Sequence, residues 1–429
     1  MNTPCTILNS VSFERFCDIA LYFVKEKSAD VLLGSPAYPE SSNSYLGIAP
    51  VSELTLEAGT PADEIGPAIK SFAFADEGPS IGYVSYECGH ALRGIASAKS
   101  TEFPALHLKK YAAVLVHDAG RESLQVLSAD AESAAEIVKK IHAADAVPDV
   151  DLPCFSAESV DMSLNKCQYE EGVRQTLEYI KEGLTYQLNL STKFNIPVDN
   201  FDPVLWFFAL SKKYPAPYYA LLRCGEKVII STSPELFLRV EGGKVTSEPI
   251  KGTLRFDKFS AELKEILVSS PKEDAELSMI VDLVRNDISA DCNYGSVVVE
   301  DHKSVFAVDN LLQMYSRVCG RLADDRDCID LFLNAFPGGS ITGCPKKSSM
   351  ELIELLEPHT RGPYCGSIVL IQGPRDMISS IAIRTAVYDR SKGDLSYWAG
   401  SGIVIDSDPQ AEYQETLAKA GKILTPEKM

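Results

Sequence analysis

The chain has 429 residues, of which 45% are hydrophobic and 24% are charged, a composition typical of a folded globular protein. Its formal net charge of −19 at pH 7 disfavours nucleic-acid binding, because phosphate contacts require a basic face. No segment approaches the ~20 apolar residues of a membrane-spanning helix. The first ten residues also lack the pattern of a secretion signal, so we expect a cytoplasmic protein.

The 11 cysteines do not indicate a disulfide framework. Their number is odd, no two of them form a C-x-x-C pair, and a chain of this length can bury a core without covalent cross-links. We therefore predict reduced thiols that mostly fill core positions. Cys88, in the tripeptide C-G-H, lacks a nucleophile elbow, and a structural role is favoured for it as well.

Residues 1–150 carry little recognisable chemistry. Short β-like runs, such as 112–117, are separated there by Gly, Pro and Ser. The following stretch, 143–161, is rich in small and acidic residues. We predict a boundary there, between an N-terminal region at 1–150 and a catalytic region at 162–427.

The sequence alternates irregularly between predicted strands and helices. We predict strands at the β-like runs 81–86, 112–117, 186–194, 228–232, 235–240, 366–371, 378–388 and 395–398. The runs 228–232 and 235–240 indicate a hairpin. Helices are indicated around Leu177, Ile180 and Leu184, across 261–288 with an interruption near Pro271, after Pro345 and after Pro409. This order predicts an α+β fold rather than a doubly wound sheet.

The last predicted helix carries charged residues on one face. Glu412, Glu415 and Lys419 follow the spacing i, i+3 and i+7, and Asp408 is placed to cap the helix. A solvated charged face is the plainest interpretation of such a pattern. The preceding A-G-S-G turn at 399–402 favours a ligand instead, because its glycines allow close approach to the backbone.

Glu276 is a second candidate carboxylate. It shares a predicted helical face with the apolar residues Met279, Ile280 and Leu283, so it needs a partner. That partner is either an arginine in a buried salt bridge or a cation shared with Glu415. Oxygen ligands without Cys or His favour Mg²⁺ for such a cation.

Two basic residues stand in unusual positions. Lys251 precedes a glycine-threonine turn in the segment P-I-K-G-T. Most lysines are solvated, but burial would lower the pKa of this amine and make it a nucleophile. Arg384 lies in the β-like apolar run 381–387, where a guanidinium should pair with a carboxylate of the protein or of a substrate.

The glycine-rich segments do not match nucleotide-binding motifs. The segment G-G-S-I-T-G at 338–343 has the opening glycine spacing of a P-loop, but Cys344 and Pro345 stand where Lys and Ser or Thr are needed. Gly400 and Gly402 lack the third glycine of a dinucleotide fingerprint. Neither G-x-S-x-G nor H-E-x-x-H occurs in the sequence.

Several segments of the chain, in order, match one enzyme family. They are G-L-T-Y-Q-L-N-L (183–190), S-P-E (233–235), P-I-K-G-T (249–253), M-I-V-D-L-V-R-N-D (279–287), P-G-G-S-I-T-G-C-P-K (337–346), A-I-R-T (382–385), A-G-S-G-I (399–403) and A-E-Y-Q-E-T (411–416). Together they resemble the chorismate-utilising enzymes, which include anthranilate synthase component I, aminodeoxychorismate synthase component I, and the isochorismate and salicylate synthases. The resemblance is strong over 162–424 and weak before it. It implies a large, mainly antiparallel β-sandwich core flanked by helices, as in anthranilate synthase component I.

The resemblance also implies a substrate, a cofactor and their ligands. Chorismate would be the substrate, and Mg²⁺ would be bound by Glu276 and Glu415, with Glu412 close by. Lys419 would support the ring carboxylate that the metal holds. The other substrate-binding positions implied by the matched motifs are Gln187, Asn189, Gly252, Thr253, Tyr364, Arg384, Gly400, Ser401 and Gly402. Among these, Tyr364, Arg384 and the glycine turn correspond to positions that hold the enolpyruvyl carboxylate.

Two positions distinguish the branches of the family. Isochorismate and salicylate synthases have a lysine where this chain has Gln187, so the chain resembles the ammonia-using branch. Anthranilate synthases have P-I-A-G-T, whereas Lys251 is similar to the lysine of many aminodeoxychorismate synthases. The mechanism implied for that branch is covalent: neutral Lys251 attacks C2 while Glu235 assists departure of the 4-hydroxyl, and ammonia then adds at C4.

The source of ammonia has to be another protein on this interpretation. The chain shows no recognisable glutaminase cysteine elbow, so we expect a separate glutamine amidotransferase partner. We also expect a separate lyase to release 4-aminobenzoate, for folate synthesis or a specialised pathway. Neither nucleic acid nor a membrane is expected as a partner.

One departure from the family pattern keeps alternatives open. The family's M-H-L-V-S segment is L-Q-M-Y-S here, so Gln313 replaces a histidine and more of the proton chemistry falls to Glu235. The alternatives are an anthranilate synthase large subunit and a catalytically silent subunit that senses chorismate or acts as a scaffold. The L-L-G-S run that ends at Ser35 resembles the family's tryptophan-binding region too loosely to predict an effector.

Overall fold

A computed structural model describes residues 5–26, 29–76, 78–153, 155, 160–256, 260–308 and 311–424 of the chain. Its strands are Cys5–Asn9 (β1), Ala29–Leu33 (β2), Asn43–Leu56 (β3), Ser80–Val84 (β4), Leu106–Asp118 (β5), Ser123–Ser128 (β6), Asp161–Met162 (β7), Gln187–Pro197 (β8), Tyr218–Cys224 (β9), Lys227–Ser233 (β10), Leu236–Glu241 (β11), Lys244–Ser247 (β12), Ile250–Arg255 (β13), Val298–Val299 (β14), Ser304–Val308 (β15), Leu311–Tyr315 (β16), Val318–Arg321 (β17), Gly343–Cys344 (β18), Ser367–Gly373 (β19), Asp376–Ile381 (β20), Thr385–Asp389 (β21) and Asp394–Ile403 (β22). Its helices are Phe13–Lys25 (α1), Ala62–Ala73 (α2), Cys88–Arg93 (α3), Ala131–Ala143 (α4), Lys166–Lys181 (α5), Pro203–Lys213 (α6), Ala261–Val268 (α7), Pro271–Ser289 (α8), Cys328–Ala335 (α9), Lys346–Leu356 (α10) and Pro409–Leu424 (α11).

The main sheet forms two layers of antiparallel strands. In the first layer the neighbours run β8, β22, β21, β10, β9, β2 and β3. In the second layer they run β4, β19, β20, β11, β12 and β17. The long strand β5 joins the layers because it pairs with both β3 and β4. The predicted α+β fold with an antiparallel sandwich core is therefore confirmed.

Strand β9 shows how the two layers pack. Ala220 and Leu222 point into the core between the layers, where they share a cluster with Ile81 of β4 and Ile368 of β19. Leu221, with the opposite orientation, joins a second core that helices α1 and α6 cover. Alternate side chains of a strand point to opposite faces, so a strand buried on both faces reads as one apolar run.

Three of the predicted elements need correction. The hairpin of 228–232 with 235–240 is wrong, because β10 pairs with β9 and β21 whereas β11 pairs with β12 and β20. The segment between them carries the chain from one layer to the other. The run 378–388 is split into β20 and β21 by a bend at Arg384, whose φ is 51°. Helix α5 ends at Lys181, so Leu184 lies beyond it and is exposed.

A small separate sheet lies outside the sandwich. Strand β16 pairs with β13 on one side and β15 on the other, and helix α8 packs on β13. The predicted interruption at Pro271 is confirmed, since α7 ends at Val268 and Pro271 begins α8. Of the apolar residues that the sequence places on one face of this helix, Ile280 is fully buried, whereas Met279 and Leu283 are half-buried.

Strands from both sequence regions belong to the main sheet, since β2 pairs with β9 and β4 pairs with β19. The division of the chain into 1–150 and 162–427 stays a prediction. Within the part of the chain that the structure describes, no helix is both long enough and apolar enough to cross a membrane.

Candidate active site

Lys251 lies where strand β13 is irregular. The pairing of β13 with β16 shifts register between Lys251 and Thr253, and the intervening Gly252 has a φ of +81°. A glycine suits this backbone because side-chain-bearing residues rarely adopt such angles. The irregularity is a bulge, a feature that redirects neighbouring side chains. The side chain of Thr253 lies outside the described residues.

The amine of Lys251 meets the glycine turn and Gln187. A β-carbon built on Gly402 would lie 3.2 Å from Lys251 Nζ and 2.9 Å from Gln187 Nε2. Strand β13 of the small sheet and strands β8 and β22 of the main sheet therefore converge at one point. The glycine at 402 leaves the space that both side-chain ends occupy.

The pKa of Lys251 is lowered from its ordinary value. Burial is the main cause, and the positive charge of Lys419 acts in the same direction. The negative charges of Glu276, Glu235 and Glu415 oppose this shift. The structure thus brings the predicted nucleophile, the predicted acid and both predicted metal ligands into one electrostatic neighbourhood.

Glu235 is a buried carboxyl that is held from two sides. Its Oε1 accepts a hydrogen bond of 2.7 Å from Ser340 Oγ, and its carbonyl accepts one of 3.1 Å from the backbone of Ile381. Burial raises the pKa of Glu235 to about 7, although the bond from Ser340 and the charge of Lys251 limit the rise. A carboxyl with this pKa can donate or accept a proton near neutral pH.

The charged residues of helix α11 separate into two kinds. Glu412 is buried and accepts a hydrogen bond of 2.6 Å from Ser407 Oγ, so it ties the start of the helix to the preceding turn. Glu415 and Lys419 lie on a more exposed edge, where they form a 2.7 Å ion pair. Lys419 Nζ also donates to the Gly400 carbonyl at 3.1 Å. The predicted cap is present, since Asp408 Oδ1 accepts from the backbone three residues on.

The candidate metal ligands are carboxylates, whose oxygen atoms suit a hard cation. Among the described residues, no three or more His, Cys, Asp and Glu side chains gather as a metal site. The negative charges of Glu276 and Glu415 nevertheless both raise the pKa of Lys251, so both carboxylates lie near its amine. Mg²⁺ typically keeps several waters and uses one or two carboxylates plus its substrate, so two acids at one site fit this ion.

Two buried amides, Gln187 and Asn189, lie on strand β8 beside the glycine turn, and a third, Gln313, lies on strand β16. Both polar atoms of the Gln187 side chain, Asn189 Oδ1 and Gln313 Oε1 have no hydrogen-bond partner within the described residues. Gln313 reaches this place because β16 pairs it with Thr253. A buried polar atom without a partner costs ~1–3 kcal/mol, so such atoms are candidates for contact with a ligand. Sequence analysis identified Gln187 and Asn189 by resemblance and did not assign Gln313 to the site.

The glycine turn is shaped by the sheet as well as by the site. Strand β22 pairs with β8, and a β-carbon on Gly400 would lie 2.4 Å from the Leu190 carbonyl. Gly400 is therefore required by strand packing. Ser401 is fully buried, and its hydroxyl contacts the Tyr169 hydroxyl at 3.0 Å. Gly402 of this turn faces the ends of Gln187 and Lys251, whereas Gly400 presents its carbonyl to Lys419.

Tyr364 and Arg384 occupy different surroundings. The ring of Tyr364 is buried and stacks on Trp398, with 6.2 Å between centroids. Arg384 lies at the bend between β20 and β21, and its carbonyl accepts a 3.1 Å hydrogen bond from the backbone of Thr232. Within the described ranges its guanidinium forms no ion pair, so the carboxylate partner that the sequence called for is not supplied by this part of the protein.

A buried ion pair behind the site was missed by sequence analysis. Arg361 donates to both oxygens of Glu357, at 2.9 and 2.7 Å, and also to the carbonyls of Asn189 and Ile341, at 2.7 and 2.8 Å. Glu357 in turn accepts from the backbone of Ser191 at 2.7 Å. The pair thus joins strand β8 to the loop before β18. The i, i+4 spacing of two opposite charges was the signal available in the sequence.

A separate cavity of about 340 Å³ lies between the two layers, beside the run that precedes Ser35. Its lining includes Leu33, Gly34 and Tyr218. Arg239, also on its wall, donates a 2.7 Å hydrogen bond to the Glu40 carbonyl.

The chain is similar to known proteins over most of its length. Residues 32–425 match the family model described as "chorismate binding enzyme". Aminodeoxychorismate synthase component 1 of Salmonella typhimurium is 35% identical over 357 residues, which are 82% of this chain and 77% of that protein. Anthranilate synthase component 1 of Saccharolobus solfataricus is 31% identical over 412 residues, 92% of this chain and 91% of that protein. The crystal structure of anthranilate synthase component I from Streptococcus pneumoniae has a TM-score of 0.78 at 29% identity and covers 90% of this chain and 92% of its own. The chain belongs to the family of chorismate-binding enzymes.

Proposed function

We propose that this chain is the chorismate-converting component of an aminodeoxychorismate synthase. It would replace the 4-hydroxyl of chorismate with an amino group to form 4-amino-4-deoxychorismate. The observation that carries the proposal is the pairing of Lys251 with Glu235. The pKa of the Lys251 amine is lowered, and the pKa of the nearby Glu235 carboxyl is raised. The similarity to aminodeoxychorismate synthase component 1 of Salmonella typhimurium supports it.

In the proposed mechanism Lys251 is the nucleophile. Its neutral amine attacks C2 of the ring while the carboxyl of Glu235 protonates the departing 4-hydroxyl. Ammonia then adds at C4 and expels the lysine amine, which leaves the new nitrogen at position 4. Burial of both groups supports these roles, because it favours the neutral amine and the protonated carboxyl.

Other residues would bind the two carboxylates of chorismate. Glu276 and Glu415 would hold Mg²⁺, which would supply positive charge for the ring carboxylate. Lys419, which already reaches the Gly400 carbonyl, would support the same group. Arg384 and Tyr364, with the backbone of the glycine turn, would bind the enolpyruvyl carboxylate.

The amides of Gln187, Asn189 and Gln313 would contact the ring substituents or the incoming ammonia. Their oxygen atoms accept hydrogen bonds and cannot deprotonate water, which favours ammonia over water as the nucleophile at C4. We also propose that a glutamine amidotransferase supplies the ammonia, as the word "component" in the relative's name implies a second subunit for that protein.

An anthranilate synthase large subunit is the second candidate. It is favoured by the similarity to the Saccharolobus solfataricus protein over 92% of this chain. In that reaction amination occurs at C2 and the ring becomes aromatic. The two products differ in mass and fluorescence, so they can be distinguished directly.

The deciding experiment is mass spectrometry of the products. The purified chain is incubated with chorismate, Mg²⁺ and ammonium, with and without a separate aminodeoxychorismate lyase. We expect a product with the mass of aminodeoxychorismate, converted to 4-aminobenzoate only when the lyase is present. Fluorescent anthranilate without the lyase would refute the 4-amino assignment. No turnover, even with an amidotransferase, would favour the silent, chorismate-sensing subunit.

A further inference from the structure

The buried guanidinium of Arg361 joins two segments of the candidate active site. Its side chain is 1% exposed, as is that of its partner Glu357. Two of its hydrogen bonds go to the Glu357 carboxylate, one goes to the Asn189 carbonyl at 2.7 Å, and one goes to the Ile341 carbonyl at 2.8 Å. The face of the guanidinium lies 4.5 Å from the centre of the Tyr86 ring. Its position is therefore fixed both at its edge and on its face.

The two carbonyls belong to segments that approach each other beside the site. Strand β18 pairs with β8 over two residue pairs, which begin at Gly343. Next to them the Asn189 N–H donates to the Thr342 carbonyl at 2.8 Å. Arg361 extends this contact by one more residue, because it bridges the carbonyls of Asn189 and Ile341. Two carbonyl oxygens can only accept hydrogen bonds, so a donor is required between them.

Each of these segments carries a group of the site. Ile341 follows Ser340, whose Oγ donates the 2.7 Å hydrogen bond to Glu235 Oε1. Asn189 lies two residues after Gln187 on β8, so both side chains are on the same face of the strand. Since the described residues give their amide oxygens no hydrogen-bond partner, the position of strand β8 decides where these amides point. A shift of either segment would therefore displace the acid or the amides.

Stability alone is a weaker account of the buried pair. Removing two charges from water has a cost that largely offsets their attraction, and apolar side chains of similar volume are often equally stabilising. An apolar side chain would leave both carbonyls without a donor, whereas the planar fork of an arginine serves a carboxylate and two carbonyls together. Glu357 fixes the direction of the fork, because it also accepts from the Ser191 N–H at 2.7 Å and from its hydroxyl at 2.8 Å.

We infer that Arg361 is a positioning residue for the reaction of this site. It holds the Ser340 segment and strand β8 in register, so that Glu235 and Gln187 face the same substrate. The inference rests on the proposed function for the roles of Glu235 and Gln187, but it does not depend on which carbon of chorismate is aminated. Because Arg361 acts through main-chain carbonyls, its replacement should change kcat rather than the KM for chorismate.

The test compares Arg361→Lys with the parent in the full-length chain. A lysine keeps a positive charge opposite Glu357 but cannot bond to the carboxylate and both carbonyls at once. We expect kcat to fall by about 10- to 100-fold, because small misplacements of reacting groups are costly. The KM for chorismate should stay close to the parent value, since the groups proposed to bind its carboxylates are unchanged. Consumption of chorismate is measured whichever product forms, so an anthranilate product would refute the proposed function and leave this comparison valid.

Two further variants separate positioning from folding. Glu357→Asp keeps both charges of the pair but draws the guanidinium towards a shorter side chain. It should lower kcat in the same way, and it tests the inference even if Arg361→Lys fails to fold. Lys109→Met is the control, because it breaks another buried ion pair, 3.0 Å from Lys109 Nζ to Asp30. It should lower the urea midpoint of unfolding and leave kcat at the parent value.

A double-mutant cycle with Ser340→Ala tests the route from Arg361 to Glu235. Ser340→Ala removes the hydrogen bond to Glu235, so Arg361→Lys should reduce kcat by a smaller factor in that background than in the parent. Near-UV circular dichroism and urea unfolding show which variants are folded. The inference would be overturned by a folded Arg361→Lys or Glu357→Asp with the kcat of the parent. An effect of Arg361→Lys that is equally large with and without the Ser340 hydroxyl would also overturn it.

Discussion

Glu235 and Lys251 influence each other's protonation across the candidate site. Burial raises the pKa of Glu235 to about 7, and the positive charge of Lys251 limits that rise. Burial lowers the pKa of Lys251, and the negative charge of Glu235 is among those that oppose the change. The proposed reaction requires a neutral amine that attacks the ring and a protonated acid that assists departure of the hydroxyl. The opposite pKa shifts of Lys251 and Glu235 favour these two protonation states.

Replacing Lys251 tests whether its amine reacts. Lys251→Ala should reduce formation of the 4-amino product by more than about 100-fold, the scale of removing one catalytic group. Lys244→Ala, which removes an exposed lysine from β12, is the matched control and should leave the rate unchanged. Steady-state rates and product masses are the measurements. An unaltered rate and product in Lys251→Ala would show that the amine is a bystander.

Gly402→Ala tests the convergence of Gln187 and Lys251 at the glycine turn. The added methyl would lie 2.9 Å from Gln187 Nε2 and 3.2 Å from Lys251 Nζ. Both atoms end flexible side chains, so they can move aside with little loss of stability. Their displacement should lower kcat by about 10- to 100-fold, because small misplacements of reacting groups are costly.

The control for this variant is Gly373→Ala, where an added β-carbon meets nothing within 4 Å. Its kcat should equal that of the parent. Urea unfolding of both variants separates a catalytic effect from a loss of fold. Equal activity of Gly402→Ala and the parent would mean that the amine and the amide do not act from the positions described.

Local features of this fold could be predicted, whereas features set by distant partners could not. The break at Pro271 and the cap at Asp408 depend on nearby residues, and both are present. The pairing of β10 with β21 depends on a strand more than a hundred residues away, and the short polar segment 233–235 resembles a hairpin turn. Apolar runs show that strands are buried but do not identify their neighbours.

The same distinction applies to the candidate site. Glu276 and Glu415 could be proposed as site residues from helical spacing and resemblance, since each pattern lies within one helix. Gln313 could not be proposed as a site residue from the sequence, because only the register of β16 against β13 places it opposite Thr253, two residues from Lys251. Arg361 was missed because it acts through hydrogen bonds to the carbonyls of two separate segments, and the sequence does not show that these segments are neighbours.

Removal of magnesium should stop turnover if Glu276 and Glu415 hold it. Glu276→Gln and Glu415→Gln should each raise the Mg²⁺ concentration for half-maximal activity by about 10-fold or more. Calorimetric titration of Mg²⁺ into the chain with chorismate provides a readout other than activity. Glu351→Gln, on the exposed side of α10, is the control. Turnover that persists in excess chelator would contradict the assignment.

The raised pKa of Glu235 predicts that this acid destabilises the folded protein at high pH. Its folded pKa of about 7 exceeds the ordinary 4.5, so its contribution is fully present below pH 4.5 and is lost as the pH rises through 7. At ~1.4 kcal/mol per pKa unit, the loss approaches about 3 kcal/mol.

Glu235→Gln removes the ionisable group but keeps an oxygen that can accept from Ser340. Relative to the parent, the free energy of unfolding of Glu235→Gln should therefore be higher at pH 9 than at pH 5, while its turnover is lost at both. Urea unfolding at the two pH values measures this difference, with the exposed Glu226→Gln as the control. The same difference at pH 5 and pH 9 would mean that Glu235 ionises as an ordinary carboxyl and is not the acid of the proposed reaction.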